Sequence, residues 1–211
     1  REFTRLILDA ALGARSRWAE EAGVDLPVSV NLTARNLLER DLALDVAELL
    51  DTHDTPPDRL VLEIPETVVL AELDVVTSVL ADLRQLGVQL SLDDFGTGGA
   101  PLTLLARVPL DEVKIDKSFV AQMHRHEVAE AIVRGTVDLA HALGLRVIAE
   151  GIEHDGHARA LRELGCDAGQ GFLYDGSMSS DDIPGALADL VAGHDLPSNA
   201  EVITMAAVRR R

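Results

Sequence analysis

Three tripeptides recur at the same kind of boundary: Leu-Gly-Val at 86–88, Leu-Gly-Leu at 143–145 and Leu-Gly-Cys at 164–166. Each closes a stretch with helical apolar spacing and opens a strand-like run. A glycine just past a helix adopts the left-handed backbone that ends the helix without steric cost. Helix-to-strand linkage repeated in this way restricts the chain to α/β architectures with a parallel sheet.

The alternation extends over most of the chain. Residues 2–23 read as a helix, with Leu6, Ala10, Gly13, Arg17 and Glu20 about one turn apart and Gly23 as the stop. Further helices are expected around 41–53, over 73–87, 126–143 and 155–164, and around 181–192. Val76, Val79, Leu80 and Leu83 mark the apolar face of the third; Val128, Ile132, Leu139 and Leu143 are in register along the fourth. Strands fall at 28–31, 60–64, 88–92, 112–115, 146–149 and 167–170. No Pro- or Ser-rich linker divides them, so residues 1–192 are expected to form one domain and 193–211 a peripheral tail. Hydrophobic residues make up 47% of the 211 and aromatics only 3%, so the core must be built from Leu, Val, Ile and Ala.

The 36 acidic and 19 basic residues give a net charge of -17. Such a surface repels nucleic-acid polymers, and no basic stripe offsets it. A small phosphorylated ligand stays compatible, because bound metal ions reverse the local field. A single cysteine, Cys166, excludes an intramolecular disulfide and fits a reducing, cytoplasmic setting. No apolar run reaches the length of a membrane span, and no secretory signal opens the sequence. The first residue is Arg1 rather than methionine, and an excerpt of a longer chain is expected.

The last residue of each strand carries the chemistry. In order these are Asn31, Glu63, Asp93 with Asp94, Lys114, Glu150 and Gln170. In a (β/α) barrel the C-terminal ends of the strands converge on the face where such enzymes work. Two adjacent carboxylates resist ionising together unless a cation stands between them. Carboxylates with an amide carbonyl are hard oxygen donors that suit Mg²⁺ or Mn²⁺ rather than zinc. An aspartate pair can hold two ions, with one carboxylate bridging, and such a pair activates water for phosphodiester cleavage. Lys114 would orient the water or offset developing charge.

Each of these residues has an ordinary reading when taken alone. An Asp-Asp pair caps a helix or sits in a solvated turn, a lysine lies on the surface, and Glu66 in "EIPE" starts a helix. Their coincidence at every strand end is what favours a site. The histidines of "HRH" (124–126) and "HDGH" (154–157) read as exposed loop residues rather than metal ligands. The glycines of "FGTGG" (95–99) serve a flexible turn or a phosphate cradle equally well, and Cys166 reads as a small core residue.

"SVNLTARNL", "LEIPET", "LDDFGTG", "VKIDKSFV", "VIAEGIE" and "GCDAGQGFLY", in this order and spacing, resemble the EAL-domain family of cyclic di-GMP phosphodiesterases over roughly residues 2–192. The resemblance implies a TIM-like (β/α) barrel that hydrolyses one phosphodiester of cyclic di-GMP to linear pGpG with two Mg²⁺ or Mn²⁺ ions. It implies that Asn31, Glu63, Asp93 and Asp94 are metal ligands, with Asp93 bridging. Lys114 would contact the attacking water, and Glu150 would act at the metals or as general base. Gln170 would line the substrate site, Glu66 would anchor the loop after the aspartates, and Glu153 is a second-tier candidate. A homodimer and flanking regulatory domains stay open.

The sequence departs from the family at several points. The Glu-Ala-Leu segment is absent, and with it two of eight expected strands and one metal-ligand glutamate. The usual Tyr-Ser-Ser segment is replaced by Gly99, Ala100 and Pro101, which puts the loop's function in question. His154 stands where threonine is common, and "FLYDGSMSS" lacks the usual proline. An incomplete barrel leaves two parallel edges, so a partner that fills the gap, or low stability alone, is expected. Two other functions remain open. One is an inactive EAL-like module that binds cyclic di-GMP or a protein. The other is an unrelated barrel enzyme, such as an aldolase with a Schiff base on Lys114.

Overall fold

The computed structural model describes residues 2–23, 25–68, 73–97, 105, 107–174 and 176–186. Helices and strands alternate along them: α1 (Glu2–Ala22), β1 (Val28–Asn31), α2 (Ala34–Leu37), α3 (Leu42–Thr52), β2 (Leu60–Pro65), α4 (Leu73–Leu86) and β3 (Gln89–Phe95), followed by β4 (Glu112–Ile115), α5 (Lys117–Gln122), α6 (Glu127–Ala142), β5 (Arg146–Ala149), α7 (Asp155–Glu163) and β6 (Ala168–Gly169). The strands form one six-stranded sheet in the order β1-β2-β3-β4-β5-β6, and every ladder is parallel. Sequential parallel strands with intervening helices are the arrangement of a (β/α) barrel, here open between β1 and β6 among the described residues.

The junction glycines do what their position requires. Gly87, Gly144 and Gly165 have φ of +93°, +76° and +89°, a region that costs a side-chain-bearing residue about 1–2 kcal/mol. Two strand entrances also use one device. The Asp111 carboxylate accepts the Leu90 N–H at 2.9 Å, and the Asp167 carboxylate accepts the Val147 N–H at 2.7 Å. Each aspartate precedes a strand and satisfies the neighbouring strand's first orphan donor, which fixes register at the end opposite the site.

The sheet is covered on both faces. Every residue of β4 is buried, as is nearly all of β2, which is why these strands read as continuous apolar runs. Leu60, Leu62, Ile64, Leu90, Leu92, Val113, Ile115 and Val147 form its centre. Val76, Val79, Leu80 and Leu83 of α4 are at most 2% exposed, as their spacing indicates.

Two helices present a different face from the expected one. In α1 the buried residues are Thr4, Leu8, Leu12, Ala14, Arg15 and Trp18, while Leu6 is 61% exposed. The stripe through Leu6, Ala10 and Arg17 faces solvent because Leu8, Leu12 and Trp18 supply more apolar area one step round the helix. In α6 the sheet takes Ala129, Val133, Val137 and Ala140, while Val128 is 71% exposed. That face packs on β4 and β5, and of the expected stripe only Leu139 stays partly buried against the core. The short helices α2 and α5 were not anticipated. Residues 183–186 begin the last expected helix, and its remainder, the 193–211 tail and the Gly99-Ala100-Pro101 loop lie outside the described residues. Ile183 is buried, and the Trp18 indole N–H donates to the Ser180 carbonyl at 2.8 Å, so the segment around 180–183 packs back on α1. No helix among the described residues is long and apolar enough to cross a membrane.

The orientation of α6 gives a direct check. Val133→Ala removes two fully buried carbons and should cost about 2 kcal/mol in urea unfolding. Ile132→Ala, on the outer face, should change stability by less than about 0.5 kcal/mol.

Candidate active site

Neighbouring residues of a regular strand point to opposite faces. Asp93 and Asp94 escape this rule. Leu92 pairs with Val113 and Phe95 with Ile115, so β3 spends three steps where β4 spends two. That is a β-bulge, and Asp94 sits in it with φ +56°, a left-handed conformation that aspartate tolerates better than most residues. The extra residue turns both carboxylates toward one region. Oxygens of Asp93, Asp94 and Glu150 lie within 4.8 Å of one another. Thr97 closes the turn by donating its hydroxyl to the Asp94 carbonyl at 2.8 Å.

Lys114 is the centre of the cluster. Its ammonium stands 3.1 Å from Glu63, 3.2 Å from Asp93 and 2.6 Å from Glu150. Glu63 lies on β2 and Glu150 follows β5, three strands away, about 14 Å across a flat sheet. Their convergence on one nitrogen follows from a sheet curled toward this face. The Lys114 side chain is only 3% exposed.

Three carboxylates share that one ammonium, with Asp94 beside them, so negative charge is in excess. Burial alone would push the lysine down, but Glu63, Glu150 and Asp93 outweigh it and hold Lys114 above its usual range, firmly charged. Glu150 is raised by burial, with Asp93 and Glu63 adding to Lys114's incomplete compensation. Asp94 is raised by burial, then by Asp93 and Asp116. One Asp93 oxygen is buried without hydrogen-bond geometry to any group, its contact with Lys114 being an ion pair only. An uncoordinated buried oxygen amid surplus carboxylate charge fits a divalent cation, and the hard oxygen donors fit Mg²⁺ or Mn²⁺.

The remaining candidates are placed as follows. Asn31 ends β1 in register with Glu63, on the exposed rim. Glu66 is 1% exposed, and its carboxylate accepts the Gly96 N–H at 3.0 Å, tying down the turn after the aspartates. Gln170 follows β6, with its side-chain carbonyl buried and without a hydrogen-bond partner. Glu153 is exposed and joins none of the carboxylate contacts; its N–H donates to His157 at 3.4 Å. Gly151, directly after Glu150, has φ +71°, and a Cβ there would lie 2.4 Å from that of Lys117. A side chain at 151 would therefore displace either the Glu150 backbone or α5.

Sequence reading missed Asp116. It is 8% exposed, caps α5 by accepting the Ser118 N–H at 2.9 Å, and acts on Asp94. Its signal was available: Glu112, Lys114 and Asp116 alternate with apolar residues, a period of two that puts all three on one side. The histidines also need correction, since His157 is only 4% exposed rather than a loop-surface residue.

With this geometry in place, comparison with known proteins defines the class. The family model described as EAL domain matches residues 1–176. The chain belongs to the EAL-domain family. MucR of Pseudomonas aeruginosa, named a bifunctional diguanylate cyclase/cyclic di-GMP phosphodiesterase, is 33% identical over 182 residues, 86% of this chain and 27% of MucR. The chain thus spans about a quarter of the length of the curated relatives it matches. The EAL domain of Mycobacterium smegmatis DcpA superposes with a TM-score of 0.84 at 34% identity, covering 89% of this chain and 85% of that one. Klebsiella pneumoniae BlrP1, solved as a manganese/cyclic di-GMP complex, gives a TM-score of 0.75 at 29% identity over 82% of this chain and 43% of that one.

The excess charge makes metal binding visible without turnover. At a hundredfold over its Kd, Mn²⁺ should add about 2.7 kcal/mol and raise the melting temperature by roughly 5–10 °C. Asp93→Asn should abolish most of that shift. Glu66→Ala should speed amide hydrogen exchange at Gly96, while Glu66→Gln, which keeps an acceptor oxygen, should largely preserve protection; equal exchange in all three proteins would remove Glu66 from its anchoring role.

Proposed function

We propose that this chain is the phosphodiesterase domain of a cyclic di-GMP signalling protein and hydrolyses cyclic di-GMP to linear pGpG in a divalent-metal-dependent reaction. The observation that carries the reading is the bulge at Asp93–Asp94, which aims two adjacent carboxylates at the mouth where Lys114 holds Glu63 and Glu150. Membership of the EAL family and its likeness to MucR and BlrP1 support the substrate class.

In this reading Asn31, Glu63, Asp93 and Asp94 would hold two Mg²⁺ or Mn²⁺ ions. The ions supply positive charge to the phosphoryl group and acidify water. Water attacks phosphorus, the bond from phosphorus to the 3′-oxygen breaks, and the 3′-hydroxyl takes up a proton. Glu150 accepts the proton of the attacking water. Burial holds its carboxylate above the ordinary range in the metal-free protein. Lys114, held charged, orients Glu150 and offsets negative charge that grows on the phosphoryl oxygens. Gln170 offers its free carbonyl to the substrate's hydrogen-bond donors. Glu66 keeps the Asp94–Thr97 turn in position through Gly96.

Chromatography of cyclic di-GMP incubated with the protein and Mn²⁺ tests the assignment. The expected product is pGpG, lost on chelation. Glu150→Gln should lower the rate by about 100-fold or more, as removal of a general base does, while nucleotide binding persists. Binding without any product in the unmodified protein would instead identify a cyclic di-GMP receptor.

A further inference from the structure

Outside the acidic centre, the fold gathers three imidazoles that lie far apart in the sequence. His124 is in the turn between α5 and α6, His154 caps the N-terminus of α7, and His157 lies in the first turn of that helix. A separation of three residues places His154 and His157 on the same side of the helix. One ring nitrogen from each of the three lies within 4.8 Å of the others. We propose that His124, His154 and His157 form a binding site for one zinc-class transition-metal ion, separate from the carboxylate centre and independent of the cyclic di-GMP reading.

Donor chemistry sets the class of ion. Three imidazoles suit Zn²⁺, Ni²⁺ or Cu²⁺, whereas Mg²⁺ and Mn²⁺ prefer oxygen. Zinc–nitrogen bonds of about 2.0–2.1 Å put the nitrogens of a tetrahedral site about 3.4 Å apart. Small rotations of His124 and His154, both exposed, close the remaining gap, while buried His157 forms the floor. Space is reserved between the rings. A Cβ on Gly156 would lie 3.0 Å from Nδ1 of His154 and 3.4 Å from Nε2 of His124, so both nitrogens border a spot that only glycine leaves bare.

The surroundings of His157 agree with ligation. Burial, then His154 and His124, push His157 below its usual range, toward the neutral form that metals require. The His154 and His157 ring centroids are 3.6 Å apart, a separation that disfavours two charged rings. Nδ1 of His154 accepts the His157 N–H at 3.3 Å, and Nδ1 of His157 accepts the Glu153 N–H at 3.4 Å. Both bonds are long, and an ion taking either lone pair replaces one of them. A bound ion would tie the α5–α6 turn to the segment that leads from Glu150 into α7, bracing one side of the mouth.

Equilibrium dialysis of Zn²⁺ against the whole chain in excess Mg²⁺ tests this, using the unmodified protein and the Asp93→Asn, His124→Ala and Gly156→Ala variants. The first two should retain one zinc per chain that Mg²⁺ does not displace. His124→Ala should weaken zinc binding about tenfold or more. Gly156→Ala should also weaken it, by filling the space between the rings, without lowering the metal-free melting temperature. Unchanged zinc affinity in His124→Ala, loss of zinc only in Asp93→Asn, or no Mg²⁺-resistant zinc in the unmodified protein would overturn the proposal.

Discussion

One buried ammonium surrounded by carboxylates is the constraint on which the site depends. Lys114 pairs with residues from β2, β3 and the end of β5. Removing Lys114 would leave its carboxylates uncompensated, at a cost of roughly 3–5 kcal/mol. The arrangement survives only where sheet order, register and curl bring those strand ends to one nitrogen. The sequential parallel order and the aspartates at the strand entrances maintain that register. The same convergence leaves the carboxylates in excess, so the fold builds an electrostatic need that a divalent cation meets.

Much of this was legible in the sequence because it depends on local signals. Glycine after a helix, apolar runs of four to seven residues and polar residues at their ends are all short-range features, and they located the six strands of the sheet. The residues that end those runs are Asn31, Glu63, Lys114, Glu150 and Gln170, so the site's candidates followed from the strand pattern itself. Helix faces were less readable. In α6 the stripe through Val128 and Ile132 and the stripe through Ala129 and Val133 are both periodic and apolar, so periodicity alone does not choose which one meets the sheet.

Two features needed the third dimension. The Asp93–Asp94 bulge exists only relative to β4: pattern alone would have sent the two carboxylates to opposite faces of the sheet. Its local trace is the φ of +56° at Asp94, a conformation no composition reveals. The histidine cluster likewise joins a turn at 124 to a helix start at 154–157, across β5. Read in their own segments, these residues are ordinary exposed loop histidines. Folded together, they differ from the acidic centre in donor type, so the two clusters favour different metals.

The bulged aspartate pair supplies oxygen donors to the proposed metal centre, and Lys114 offsets part of its negative charge. Anomalous diffraction from crystals grown with Mn²⁺ tests it most directly, because the signal locates the ions independently of any assumed chemistry. The expected result is manganese density bonded to Asp93 and Asp94, beside the Lys114–Glu150 pair. Manganese absent from the aspartates in well-ordered crystals, or bound only elsewhere on the chain, would contradict it.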